Sequence, residues 1–180
     1  MRFEEREICW TTWDGRHEQT LRLGFENGGW TAEGAVGGLD ISYVLRFDEA
    51  WRTRQFLLFR DLDEPDLWLA ADGAGQWGET NGSVRDDLTG CSDIALSCTP
   101  FTTAAAVMRL RAGGQQNESL SVALVDVETL GVTVHEHHLS HLGNDQWEHR
   151  SRTTGRSYQF LVDEFGLMVD EPERFRRSSR

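Results

Sequence analysis

The chain has 180 residues and a formal net charge of −12, from 30 acidic side chains against 18 lysines plus arginines. A chain of this length buries roughly 70% of its unfolded surface, so it needs no disulfide or structural metal to fold. The strong negative charge excludes a general role in binding nucleic acid or an anionic membrane, because both require a basic face. We expect a single domain over residues 1–180.

The cysteines and the N-terminus favour a cytoplasmic location. Cys9, Cys91 and Cys98 are odd in number and lack a CxxC spacing, so buried, inert thiols are expected rather than a disulfide framework. The N-terminal MRFEEREICW lacks the apolar run of a signal peptide. No stretch reaches the roughly 20 apolar residues of a membrane span, so no stable membrane insertion is expected.

Short strands separated by turns are predicted through the first half of the chain. Leu21 and Leu23 alternate with polar residues, which is typical of a half-buried strand over His17–Glu26. Glycine-containing turns such as Asp14-Gly15 separate the candidate strands. By the same pattern, further strands are predicted at Cys9–Trp13, Trp30–Gly38, Ile41–Asp48, Thr53–Leu62 and Leu67–Ala71.

One segment predicts a helix. Thr99 is suited to the N-cap position, where its hydroxyl can accept a hydrogen bond from a free backbone amide. Pro100 suits the first helical position, where no amide donor is needed. Phe101 and Met108 then fall on one face, and Ala104–Ala106 adds high helix propensity. Because the segment is apolar along most of its length, we expect this helix to be buried.

After the helix the pattern returns to strands. We expect a new strand to begin at Arg109–Ala112 and to stop at Gly113-Gly114, and the charged end Glu173–Arg180 to fray. The other predicted strands of this half are Ile94–Leu96, Leu120–Val125, Leu130–Leu139, Gln146–Arg150 and Tyr158–Val162. Many strands with one helix indicate a mostly β, α+β fold, a many-stranded antiparallel sheet rolled around a single buried helix. Such a roll can leave an apolar interior cavity.

Several short motifs are spread over most of the chain. They are Trp51-Arg52-Thr53-Arg54, Asp72-Gly73-Ala74-Gly75-Gln76-Trp77, Leu88-Thr89-Gly90-Cys91-Ser92-Asp93-Ile94, Thr99-Pro100-Phe101-Thr102, Arg109-Leu110 and Gly166-Leu167-Met168-Val169 before Pro172. On these motifs the chain resembles the glycolipid-binding family of bacterial proteins. The resemblance implies a spiral β-roll wound around one helix, a distant likeness to periplasmic lipoprotein carriers, and a lipid or glycolipid ligand.

The chain departs from this family pattern in two places. Thr103 and Ala104–Ala106 stand where the family usually has an asparagine and a proline, and Glu171 stands where a tyrosine usually precedes the proline. The first departure makes the predicted helix more regular.

The histidines His135, His137, His138 and His141 are a candidate metal cluster. Two histidines two residues apart on a strand can bind zinc, given a third ligand nearby. However, Val132 and Val134 are expected to face the core, which turns His135 and His137 toward solvent. We therefore predict no metal site and no cofactor.

Arg54 is the main candidate for a charged ligand anchor. Because it lies beside an apolar run, it needs a partner, and Asp93, Asp72 and Glu18 are the candidates. Two interpretations stay open, a guanidinium that binds a ligand headgroup and a structural ion pair. Trp51 and Trp77 are favoured over the other tryptophans because they lie in the family motifs. The predicted ligand-contacting residues are Trp51, Arg54, Trp77, Asp93, Phe101 and Glu18.

Three functions are compatible with these features. The favoured one is a non-catalytic protein that encloses an apolar or amphipathic ligand, because ligand pockets are mostly apolar with a few convergent polar groups. The second is an enzyme that uses Asp93, Glu18 or the histidines as acid and base, although the chain has no GxSxG, P-loop or GxGxxG motif. The third is an interaction module without a small ligand.

Overall fold

The computed structural model describes residues 5–61 and 64–178. The end of the predicted strand at Leu62 and the last two residues of the predicted tail, Ser179 and Arg180, lie outside these ranges. Within them the fold is mostly β with one α-helix, which confirms the predicted class. The first seven strands are β1 (Arg6–Thr12), β2 (Glu18–Glu26), β3 (Gly29–Val36), β4 (Ile41–Asp48), β5 (Thr53–Arg60), β6 (Leu67–Ala71) and β7 (Trp77–Glu79).

The second half of the chain contains the helix. A short 3-10 turn (Asp86–Leu88) and β8 (Asp93–Leu96) precede α1 (Phe101–Ala112). The strands after the helix are β9 (Asn117–Val125), β10 (Val132–Gly143), β11 (Gln146–Ser151), β12 (Ser157–Leu161), β13 (Asp170–Glu171) and β14 (Phe175–Arg177).

The described strands form two open sheets that face each other across α1. The large sheet has nine strands in the order β13-β14-β1-β2-β3-β4-β5-β6-β7, and the small sheet has five in the order β12-β11-β10-β9-β8. All neighbouring strands are antiparallel except β8 and β9, which are parallel. The parallel pair arises because α1 connects these two strands, and a parallel neighbour requires such a crossover.

α1 begins one residue later than predicted, with Pro100 rather than Thr99 at the N-cap position, and its end differs further from the prediction. The Thr99 hydroxyl accepts a hydrogen bond from the Phe101 backbone amide at 3.0 Å. The predicted strand at Arg109–Ala112 is wrong, because the helix continues to Ala112. It stops where Gly114 takes a positive φ of 68° and the Gln115 amide bonds back to the Leu110 carbonyl at 2.8 Å. This is a Schellman C-cap, for which glycine is the favoured residue.

The helix is buried on both sides. Eight of its twelve residues are buried. Phe101 and Met108 belong to the apolar cluster of the large sheet, whereas Val107 and Leu110 pack into a second cluster with the small sheet. A pocket lined by Ala106 of α1 and by Leu120 and Leu139 of the small sheet has a volume of about 20 Å³. That volume is comparable to the space one water molecule needs, so the helix itself fills this part of the core.

The charged C-terminal segment does not fray within the described residues. Strand β14 pairs with β1, with Trp10 opposite Arg177 and Thr12 opposite Phe175. The Phe175 side chain is buried, and the Trp10 indole donates a hydrogen bond to the Met168 carbonyl at 3.0 Å. The prediction of a frayed end is therefore wrong here, because burial of Phe175 and the hydrogen bonds to β1 offset the charge of the segment.

None of the helices within residues 5–61 and 64–178 has the length and apolar character needed to cross a membrane. The three cysteines are free, with Cys9 and Cys91 buried and Cys98 half-buried. Burial raises the pKa of Cys91 to about 11 and that of Cys98 to about 12. Both thiols are therefore protonated and weakly nucleophilic at neutral pH.

Candidate functional site

Two of the predicted ligand-contacting residues, Trp51 and Phe101, lie in the core. Trp51 has a positive φ of 63° in the turn after β4, and its ring stacks on Trp30 with centroids 4.5 Å apart. Phe101 is completely buried and meets the edge of Phe47 at 6.2 Å. Both aromatic rings are already covered by other side chains, so they help to hold α1 against the large sheet.

Trp77 links its own motif to the Leu88–Ile94 motif by a hydrogen bond. It is buried, and its indole donates a hydrogen bond to the Cys91 carbonyl at 2.9 Å. In the same region the Gly90 amide bonds to the Gly75 carbonyl at 2.8 Å, and a Cβ on Gly75 would lie only 3.3 Å from the Gly90 Cα. The close approach requires glycine at position 75, whereas at position 90, where a Cβ would meet no atom within 4 Å, the positive φ of 89° favours glycine.

Arg54 is exposed and stabilises a turn. Its guanidinium donates to the Asp72 backbone carbonyl. The Asp72 carboxylate in turn accepts the backbone amides of Ala74 and Gln76 at 2.7 and 3.0 Å. These amide bonds, with a smaller contribution from the Arg54 charge, lower the pKa of Asp72. Of the three predicted partners, the structure therefore places only Asp72 beside Arg54.

Asp93 pairs with Arg109 instead of Arg54. Asp93 is buried on β8, and its Oδ2 lies 3.1 Å from Arg109 Nη2 and 2.6 Å from the Ser92 hydroxyl. Arg109 Nη2 also lies 2.9 Å from Glu118 on β9. Of the three candidate partners of Arg54, Asp93 is thus engaged elsewhere, because the crossover brings Arg109 of α1 over β8.

The six predicted residues do not converge on one site. Glu18 is exposed at the start of β2 in the large sheet, whereas Asp93 lies in the small sheet. Their role as ligand contacts stays a prediction.

The structure brings a different set of polar side chains together. A cleft of about 260 Å³ lies between the N-terminal end of α1, the inner face of the small sheet and the β13–β14 turn. Its lining includes Thr103, His137, His149, Arg156, Tyr158 and Glu171. The two departures from the family pattern, at Thr103 and Glu171, therefore both lie on this cleft. We call it the polar cleft.

The orientation of β10 differs from the prediction. His135 and His137 line the polar cleft, and Val134 is 41% exposed on the opposite face. The expectation that these histidines face solvent is therefore wrong. Leu139, two residues beyond His137, is buried against the small-sheet side of the helix, and alternation along the strand puts His137 on the same face. Leu139 is the residue from which the correct phase could have been predicted.

His149 is the most enclosed polar ring of the cleft. It is 6% exposed, its Nδ1 has no hydrogen-bond partner, and its ring stacks on Tyr158 with centroids 4.8 Å apart. The His137 ring meets it edge-on at 4.6 Å. Burial, reinforced by His137 and the arginines Arg156 and Arg174, lowers the pKa of His149 to about 3.

His137 lies in an environment similar to that of His149. Burial, helped by the neighbouring His135, lowers the pKa of His137 to about 4. Both His137 and His149 are therefore neutral at pH 7, and each ring then offers one donor and one acceptor nitrogen. Among the described residues, no group of three or more histidine, cysteine, aspartate or glutamate side chains is arranged to hold a metal ion.

A buried carboxylate holds two arginines at the edge of the cleft. Glu171 Oε1 lies 2.6 Å from Arg156 Nη1 and 2.9 Å from Arg174 Nη1. The Glu171 side chain is only 2% exposed, whereas the arginine side chains are 33% and 35% exposed. Arg156 also donates to the Pro172 carbonyl at 2.9 Å, and Arg174 donates to the Ser97 carbonyl. The sequence analysis identified neither arginine, because nothing local distinguishes them from other charged residues.

A wider groove of about 720 Å³ runs along β1 and the loop before β13. Its charged groups already interact with neighbouring side chains. Arg177 pairs with Asp163 at 2.5 Å, and the Arg6 guanidinium lies 3.2 Å from the centre of the Phe165 ring. The groove also has buried nitrogens without a hydrogen-bond partner, Nε of Arg6 and of Arg177, but both guanidinium groups make other contacts. The polar cleft, where a buried neutral ring lies among hydroxyl-bearing side chains, is the stronger candidate site.

Comparison with known proteins agrees with the fold. The model of the family described as "Putative glycolipid-binding" matches residues 7–177. The chain is also similar to the crystal structure of a DUF1089 family protein from Pseudomonas aeruginosa, with a TM-score of 0.71 and 20% identity, covering 99% of this chain and 95% of that one. At this identity the likeness shows the fold alone. No curated protein matches the chain.

Proposed function

The chain belongs to this glycolipid-binding family, and we propose that it is a non-catalytic protein that binds the sugar headgroup of a glycolipid in the polar cleft. A volume of about 260 Å³ lies just below the range for drug-sized ligands, about 300–1,000 Å³. It suits a single sugar better than a whole lipid.

The observation that carries the proposal is the His149 ring. A buried polar atom without a partner is costly, and native proteins satisfy nearly all such atoms. Thr103, Ser151 and Thr154, which carry hydroxyl groups, line the same cleft as His149. Neutral rings and hydroxyls both donate and accept hydrogen bonds, as a sugar does. Because Nδ1 is shielded from solvent, a sugar hydroxyl reaches it only when the side chains lining the cleft shift, and it would then satisfy the orphaned nitrogen.

The lipid chain remains outside the core in this proposal. The space of about 20 Å³ beside α1 is too small for an acyl chain. Trp51 and Phe101 are covered by neighbouring aromatic rings, so an apolar ligand has no open surface on them.

A binding role fits the site better than catalysis does. The Asp93 carboxylate is engaged by Arg109 and Ser92, and Glu18 lies in the other sheet. Asp93 lines a space of about 20 Å³ together with His137 and His149, but because Arg109 and Ser92 already engage its carboxylate, we assign it no acid–base role. The proposed location is the cytoplasm, which is supported by the three free cysteines.

The test is a calorimetric titration with octyl β-D-glucoside, kept below its critical micelle concentration. We expect saturable binding to the natural protein and five- to tenfold weaker binding to the His149→Phe variant, roughly the worth of one hydrogen bond. Phenylalanine keeps a flat ring in the stack with Tyr158 but removes both nitrogens.

The matched control is His138→Phe, because His138 lies on the opposite face of β10 from the cleft and contacts Ser119. It should bind the glycoside as the natural protein does. The proposal fails if the natural protein shows no saturable binding of an octyl glycoside. It also fails if His149→Phe binds as tightly as the natural protein.

A further inference from the structure

The charges around the polar cleft do not cancel. Two guanidinium groups, Arg156 and Arg174, share a single carboxylate oxygen of Glu171. Glu171 is the one acidic residue among the described residues that line the cleft. One positive charge is therefore left without a counter-charge at this edge.

The histidines do not contribute to this charge at neutral pH. Burial keeps the pKa values of His137 and His149 near 4 and 3. Asp93 lines the small space beside α1 together with His137 and His149, but its carboxylate is paired with Arg109. The excess charge is therefore localised on the two arginines.

Both arginines have donors left for a ligand. A guanidinium has five N–H groups. Arg156 uses Nη1 on Glu171 and Nη2 on Pro172, and Arg174 uses Nη1 on Glu171 and Nη2 on Ser97. About a third of each side chain is exposed, so a ligand in the cleft can reach the remaining N–H groups.

Glu171 also orients the two groups. Its side chain is almost completely buried and holds both guanidinium groups against the same oxygen, while the Tyr158 ring lies 4.4 Å from the Arg156 guanidinium carbon. Two arginines held in place before a ligand arrives lose less conformational entropy on binding. Paired N–H donors of this kind match the two oxygens of a carboxylate or phosphate.

We propose that Arg156 and Arg174 form an anion subsite, so that the headgroup bound in the polar cleft is an acidic sugar that carries a carboxylate or a phosphate monoester. This inference rests on the proposed function and adds the charge of the ligand to it. The anion binds at the edge of the cleft, and the neutral ring of the sugar lies toward His149.

The experiment compares two matched probes, octyl β-D-glucoside and octyl β-D-glucuronide, which differ by a carboxylate on the sugar. Free glucuronate and inorganic phosphate are titrated in parallel, to distinguish a carboxylate from a phosphate ligand. We expect the glucuronide to bind at least tenfold more tightly than the glucoside, because a charged hydrogen bond is worth more than a neutral one. The preference should decrease as salt is added.

Three variants assign this preference to the arginines. Arg156→Gln and Arg174→Gln each remove the excess charge, so the affinity ratio between the two probes should fall toward one. Glu171→Gln should raise the ratio, because it leaves two uncompensated positive charges. Arg150→Gln is the control, since Arg150 is an exposed arginine that pairs with Glu148 at 2.8 Å on β11. Circular dichroism verifies that each variant is folded.

The outcomes separate the two proposals. If both glycosides bind equally, or the preference survives in both arginine variants, the anion subsite is wrong and the proposed function stands. If neither glycoside binds but glucuronate or phosphate binds through the arginines, the subsite stands and the glycolipid function falls. If no probe binds, both are wrong.

Discussion

At the scale of single residues, Glu171 is the residue on which the edge of the polar cleft depends. Its side chain is 2% exposed, and its carboxylate forms ion pairs with Arg156, in the turn before β12, and with Arg174, in the turn before β14. Glu171→Gln should lower the free energy of unfolding by about 1–3 kcal/mol. That is less than for a fully buried pair, because both arginines remain partly hydrated.

Urea denaturation followed by tryptophan fluorescence measures this loss. Glu33→Gln is the control, because Glu33 and its partner Arg22 are 4.0 Å apart and both more than half exposed. It should change stability by less than about 0.5 kcal/mol. Equal effects of the two substitutions would contradict the structural role given to Glu171.

His149 makes stability depend on pH. Its pKa of about 3 in the folded protein lies below the ordinary value near 6.5. Between these values the unfolded chain binds more protons than the folded one, so stability is full above pH 6.5 and decreases as the pH falls toward 3. His149 should contribute about 2–3 kcal/mol to the loss between pH 7 and pH 4.

Denaturation midpoints measured from pH 7 to pH 4 test this prediction. His149→Phe removes the titrating group and should flatten the decline, whereas His138→Phe, on the outer face of β10, should leave the slope unchanged. A slope that is the same in both variants would show that folding does not lower the pKa of His149.

At the scale of elements, the packing of β3 against β4 depends on one glycine. A Cβ at Gly34 would lie 2.1 Å from the ring of Tyr43, which is 1% exposed and accepts a hydrogen bond from Gln19 at 3.0 Å. Moving the ring would break its hydrogen bond with Gln19, so Gly34→Ala should cost about 1–3 kcal/mol by overpacking.

Thermal unfolding compares this variant with Gly24→Ala on the adjacent strand β2. Nothing lies within 4 Å of a Cβ at Gly24, so that substitution should change stability by less than about 0.5 kcal/mol. If the two alanine variants have the same melting temperature, the close contact between Gly34 and Tyr43 is not present in solution.

At the scale of the whole molecule, α1 belongs to the cores of both sheets. Phe101 packs into the cluster of the large sheet, and Leu110 packs into that of the small sheet. Both side chains are fully buried, so Phe101→Ala and Leu110→Ala should each cost about 2–5 kcal/mol. Because the two cores share one helix, each variant should lower the stability of both sheets together.

Calorimetry tests this cooperativity. We expect one transition in each variant, with equal calorimetric and van't Hoff enthalpies and coincident near- and far-UV circular dichroism curves. Two separate transitions in the Leu110→Ala variant, with the large sheet still folded after the first, would contradict a shared core.

The sequence by itself determined the features that depend on neighbouring residues. Alternation along β4 predicted Ile41–Asp48 with its observed ends, and Thr99 with Pro100 predicted the start of α1 to within one residue. The mostly β fold with one buried helix followed from these local patterns. These patterns can be recognised in the sequence because the alternation of side chains along a strand and the capping of a helix involve residues only two to four positions apart.

The tertiary structure alone decided how these elements combine. The strands divide into two sheets. Asp93 pairs with Arg109 rather than with Arg54, and the His137 side chain faces the polar cleft. The polar cleft joins Thr103 and Glu171, which are far apart in the chain, and no local pattern relates them. Pairing between distant segments depends on the register of strands and on the path of a crossover, which only the folded chain contains.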